Sequence, residues 1–144
     1  MFASEEDALA AAEELYGEYQ VFSNALGQSG WADPTGFQEY LSGDALEDEL
    51  DGAEALNSKG YRQVGDTTFD TTSVQQLADF GSGTVEITIY LCSDVTAVDV
   101  VDRDGISIVS AARPARQSLE VTMNDSEGSL KINRRDAWSG TSFC

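Results

Sequence analysis

Histidine does not occur in this chain of 144 residues. The most frequent general base near neutral pH is therefore missing, and so is the most frequent side-chain ligand for transition metals. A Ser/Cys/His catalytic set cannot be assembled. Cations are scarce as well: 8 Lys plus Arg stand against 26 Asp plus Glu, a formal net charge of -18. Nucleic acid or an anionic membrane surface would repel such a chain, whereas a basic partner, or solubility alone, suits it. Long apolar runs are missing too. No stretch approaches the roughly 18 to 20 apolar residues of a membrane helix, and no charged start followed by an apolar run resembles a signal peptide. Two readings of that absence stand: a cytosolic protein, or the mature part of an exported one whose leader was replaced by Met1.

What is present suffices for one core. At 144 residues and 41% hydrophobic content, a single domain over 1–144 is expected. From Ser4 to about Gln28 the chain reads as a long helix, with Ser4 as N-cap and Glu5 and Glu6 at the positive end of the dipole. Ala8, Ala12, Leu15, Tyr19, Phe22 and Leu26 fall on one stripe of it. Asp33 and Pro34 open a second, short helix closed by Gly43, and a third runs from near Asp44 to Gly60. The period then changes. Val85, Ile87, Ile89 and Leu91 alternate with Glu86, Thr88, Tyr90 and Cys92, as in a strand with one buried side. Segment 61–77 supplies one or two earlier strands. Turns at 102–105 and 124–128 make hairpins, the first into Ile106–Val109 and the second between 117–123 and 129–138. The fold class is α+β, a long N-terminal helix and two short ones packed in a curved antiparallel sheet.

Cys92 sits in the best-defined strand and Cys144 is the last residue. In a reducing cytosol they would be two unrelated thiols, one exposed at a terminus. In an oxidising compartment they would form a disulfide that pins the tail to the sheet. The even count and a terminal position with no other use for cysteine favour the disulfide, and with it export. The spacing fits no zinc or CxxC redox pattern.

With these elements placed, the stretch 85–105 ("VEITIYLCSDVTAVDVVDRDG") and the closing "DAWSGTSFC" resemble small secreted or lipid-anchored proteins of high-GC Gram-positive bacteria. Those are similar to the nuclear transport factor 2-like (SnoaL-like, cystatin-like) cone fold, in which a curved sheet wraps a long helix. The resemblance implies a fold and an extracytoplasmic, cell-envelope location. It implies no activity, because the superfamily holds isomerases, dehydratases, polyketide cyclases and many non-enzymatic domains. It also implies pairing through the sheets, hence a homodimer as one expectation.

Chemistry in such a cone lies between helix and sheet and needs an acid or base there. Leu130, Ile132, Arg134, Asp136 and Trp138 share one parity, so Arg134 and Asp136 would line the cone's mouth if Leu130 and Ile132 face the core. The other reading is a β-bulge, or a plain ion pair, that sends both to solvent. Tyr16 and Tyr19, with Trp138, could wall an apolar ligand, or simply be core. Asp99, Asp102 and Asp104 suggest calcium, but an EF-hand loop counted from Asp99 would need Glu where Ser110 stands; turn chemistry explains them better. No cofactor and no metal is expected. The sequence thus points to an exported, non-catalytic domain binding a protein or small apolar ligand at the envelope, with membrane contact only through a removed N-terminal anchor. Its rival is an isomerase- or cyclase-like enzyme or apolar-ligand carrier, with Asp136 as base, Arg134 orienting it and Tyr16 or Tyr19 donating a hydrogen bond.

Overall fold

A computed structural model of the chain describes residues 2–79, 84–125 and 128–144. Helix α1 spans Glu5–Gln28. The Ser4 side chain accepts from the Asp7 amide at 3.1 Å, and Glu5, Glu6 and Asp7 fill the first turn, so cap and dipole agree on where it starts. Ala8, Ala12, Tyr16 and Tyr19 form its most buried row, followed by Leu26; Leu15 and Phe22 pack at the margin. The two alanines let helix and sheet approach closely. At the far end the Trp31 amide returns to the Leu26 carbonyl at 2.8 Å, beyond Gly30 at φ +84°.

The second helix is a 3-10 turn, Pro34–Glu39, capped by the Asp33 carboxylate on the Thr35 amide. Gly43 does not close it. Gly43 instead opens α2, Gly43–Ser58, with φ +52°, and a Cβ there would run into the Asn133 side-chain amide. Glycine is required by both facts. Ser42 and Tyr40 also bond to the backbone of Ile132, which ties this corner to the sheet.

Among the described residues six strands follow: β1 Arg62–Val64, β2 Thr68–Asp79, β3 Val85–Asp94, β4 Asp99–Val101, β5 Arg116–Asp125 and β6 Leu130–Ala137. The main sheet is an antiparallel meander in the order β2-β3-β5-β6, while β1 and β4 pair separately. Val85, Ile87, Ile89 and Leu91 are all buried, as their alternation requires, and face the core with Leu119, Val121, Met123 and Ile132. Each such side chain contributes about 1.5 to 3 kcal/mol by leaving water. The result is three helices packed on a curved antiparallel sheet, the α+β arrangement anticipated above.

One of the two hairpin expectations needs correction. The 102–105 turn exists, with the Gly105 amide on the Asp102 carbonyl at 3.0 Å, but Ile106–Val109 is no strand. It contributes an isolated bridge of Ser107 to Val101, and β4 pairs with β1. In the 124–128 turn, Ser126 and Glu127 lie outside the described residues.

Candidate functional site

The interior of the cone is decided by one residue in β6. Met123 pairs with Ile132 and Thr122 with Arg134, so Asn133 is left over as a bulge. A bulge inverts the side-chain parity of everything after it. Arg134 and Asp136 therefore go to the outer face, more than half exposed, in an ion pair of 3.3 Å. The expectation that they line the mouth is corrected on that ground. Arg135, opposite the buried Val121, turns inward in their place.

Arg135 enters a ring of polar groups from three elements. Its Nε donates to the Tyr16 hydroxyl at 3.0 Å and its Nη1 to Glu49 Oε1 at 2.9 Å. The Tyr19 hydroxyl donates to the same carboxylate oxygen at 2.7 Å. The guanidinium carbon lies 5.2 Å from the Tyr19 ring centre and 5.7 Å from that of Tyr16, within cation–π range. Tyr16 and Tyr19 meet edge to face at 5.2 Å, and Phe69 of β2 closes on Tyr16 at 4.8 Å. Burial raises the Tyr19 pKa well above its ordinary value; Arg135 pulls it down, and Glu49 and Tyr16 push it up again. Burial alone would depress the Arg135 guanidinium, but Tyr16, Tyr19 and Glu49 outweigh it and hold the proton more firmly.

Chemically, this is a poor active site. A guanidinium held this firmly does not give up its proton, and a phenol with a raised pKa stays neutral. Each of the four side chains is bonded to another member, so the cluster ties α1, α2 and β6 together. Glu49 could have been found in the sequence: it lies three residues after Leu46 and four before Ala53, an acid inside the apolar stripe of its helix. Arg135 could not, because its orientation depends on the bulge.

Of the five side chains suggested for a pocket, Tyr16 and Tyr19 are brought together inside and Arg134, Asp136 and Trp138 stand outside. Trp138 meets Tyr90 at 5.0 Å on the outer sheet face, and Phe143 joins Tyr90 at 5.3 Å. The tail crosses that face to the Cys92–Cys144 disulfide, with Cα atoms 5.7 Å apart. This explains why Cys92 and Ser118 are buried although they point away from the core. Asp102 spends its carboxylate on the amides of Asp104 and Ile106, and Asp99 on Val100 and Ser107, which is turn chemistry. Among the described residues no group of three or more Cys, Asp or Glu is placed to hold a metal ion.

No protein-family model and no curated protein matches the chain. Solved structures do. The intermembrane space region of the chloroplast protein ARC6 superposes with a TM-score of 0.65 at 15% identity, covering 92% of this chain and 97% of that one. Aln2 from a Streptomyces species gives 0.51 at 17%, covering 95% and 93%. A protein of cystatin-like fold from Caulobacter vibrioides gives 0.35 at 13%, covering 86% and 91%. At these identities the first two likenesses establish a shared fold, the cone of helix and curved sheet, and nothing of activity.

Proposed function

We propose that this chain is an exported, non-catalytic binding domain, acting as one unit over 1–144 outside the cytoplasm, with a protein as its partner. The observation that carries the reading is a polar cluster between helix and sheet whose members satisfy one another. Tyr16, Tyr19, Glu49 and Arg135 bond to one another where an enzyme or carrier of this fold would keep a ligand. Recognition is then left to the outer surface. The Cys92–Cys144 bond supports export, since such bonds persist in oxidising compartments, either free or at an envelope-held domain as the resemblance implies. The intermembrane space named for the ARC6 region is in keeping with it.

Two measurements test this. Titration with apolar probes such as anilinonaphthalene sulfonate and a sterol, followed by amide shifts, should give no saturable site at Tyr16, Tyr19 and Arg135. Saturable uptake there would overturn the non-catalytic, protein-binding reading. Mass spectrometry after alkylation of unreduced protein from native cells should leave both cysteines unmodified; two alkylated thiols would overturn the export.

A further inference from the structure

The exposed side of α1 carries a feature that packing does not explain. Glu13, Gly17 and Val21 are spaced by four and form one ridge, with Val21 72% exposed. Gly17 lies mid-helix, where glycine is a destabilising choice over alanine, yet a Cβ there would meet no atom within 4 Å. It makes a notch in the ridge with no internal use.

Grooves run along both flanks and meet at this notch. One, about 490 Å³, lies between the ridge, Glu14, Glu18 and Tyr40. The other, about 270 Å³, lies between Val21 and the chain entering β2, with Gln20, Thr68 and Phe69 among its lining. Its far wall is held in place: Asn24 exchanges two hydrogen bonds of 2.9 Å with the Thr67 backbone, and Gln28 reaches Asp66 at 2.6 Å. Gln20 is only 8% exposed and its carboxamide makes no hydrogen bond among the described residues. Its polar atoms still reach solvent at the groove, so the carboxamide is an open donor and acceptor pair, the complement of one peptide group.

The charge around the grooves has one sign. Glu13, Glu14, Glu18 and Asp66 line them with no Lys or Arg, and among the described residues none of the four is in a salt bridge. We infer that this face of α1 docks an extended, basic segment of a partner protein, its backbone crossing the Gly17 notch and bonding Gln20, its apolar side chains on Val21, Tyr40 and Phe69, its Lys or Arg on the acidic rim. The inference rests on the binding-domain reading above and gives that reading a surface and a partner chemistry.

The probe is a capped nonapeptide of three Lys-Leu-Gly repeats, titrated into the disulfide-bonded protein by nitrogen-proton NMR. Capped Glu-Leu-Gly and Lys-Gly-Gly nonapeptides serve as controls. Saturable shifts at 13–21 and 66–69 are expected for Lys-Leu-Gly alone, weakening as salt rises. Gly17→Leu, whose Cβ meets nothing within 4 Å, should keep or raise the melting temperature and weaken binding about tenfold. Gln20→Leu should weaken it about fivefold. No binding, equal binding of Lys-Gly-Gly, shifts spread over the other acidic faces, or folded variants that bind like the parent would each overturn the groove. Those results leave the binding-domain reading intact; that one fails separately, through apolar ligand uptake inside the cone.

Discussion

Arg135 Nη1 and Glu49 Oε1 lie 2.9 Å apart across 86 positions of sequence, joining β6 to α2. Both side chains keep about a quarter of their surface, 25% and 27%, so the pair is neither fully buried nor free in water. That intermediate placement decides its energetics. Exposed pairs are worth up to about 1 kcal/mol and breaking a buried one costs about 3 to 5. Arg135→Met should therefore cost about 2 kcal/mol in urea denaturation, because Glu49 and the Tyr16 hydroxyl lose their partner while the volume is kept. Arg135→Met with Glu49→Leu should recover most of the loss, since an apolar pair removes the stranded charge. A double variant as unstable as the sum of the singles would show that the two act independently.

Tyr19 makes stability depend on alkaline pH. Burial, then the Glu49 carboxylate, holds its pKa well above 10.0, with Arg135 opposing. In the unfolded chain the phenol ionises near 10; in the folded one it keeps its proton. Above that point the unfolded state binds fewer protons, so stability is fully present below about pH 10 and falls as pH rises beyond it. Tyr19→Phe should flatten this alkaline slope, and absorbance at the phenolate band should lose a late-titrating fraction. Tyr40, raised by burial, Glu39 and Glu18, should supply a second late fraction that Tyr40→Phe removes.

Arg116 at the start of β5 clamps two carboxylates, Asp70 of β2 at 2.6 Å and Asp94 of β3 at 2.9 Å. Both are held below the ordinary carboxylate range, but for different first reasons: Asp70 by the Arg116 hydrogen bonds, Asp94 by Thr96. Arg116→Gln should raise the Asp70 pKa clearly and that of Asp94 much less, read from carboxyl carbon shifts. Equal rises would contradict the assignment to Thr96. Because both folded values are depressed, their contribution is present above about pH 3.8 and is lost as pH falls through the lowered values.

How far the sequence carried depends on how local each determinant is. The start of α1 was legible because Ser4, Glu5 and Glu6 act within one turn, and β3 because a period of two needs no partner. The two cysteines announced their bond through compartment chemistry. Arg134 and Asp136 were misplaced because strand parity holds only until a bulge, and the Asn133 bulge is set by register against β5 and by the distant Gly43 corner. Trp138 followed the same parity outward. Glu49 was passed over because a lone acid in an amphipathic helix reads as solvated until its cation is in place. The aromatic half of the cluster could be named from the sequence and Glu49 was within reach of its helix stripe; Arg135 required the fold.

The tail offers the most direct test of what the disulfide does. Cys144 is joined to Cys92 across 52 positions, a loop that includes β4, β5 and β6. In the chain-entropy account, cutting it costs about 4 kcal/mol, a large part of the roughly 5 to 15 kcal/mol that holds a domain together. The tail has other holds, however. Ser118 bonds to the Ser142 hydroxyl at 3.1 Å and to the Phe143 amide at 3.2 Å, its carbonyl accepts from the Trp138 amide at 2.9 Å, and Tyr90 sits between two aromatic rings. Cys144→Ser should therefore lower the urea midpoint strongly while α1 and the sheet still fold. Hydrogen exchange should rise first at 139–144, with Trp138 the last part of the tail to loosen. In a Trp31→Phe background, a red shift of the remaining fluorescence reports that loosening directly. An unchanged midpoint with unchanged tail exchange would mean that Ser118 and Tyr90 hold the tail and the covalent link adds nothing.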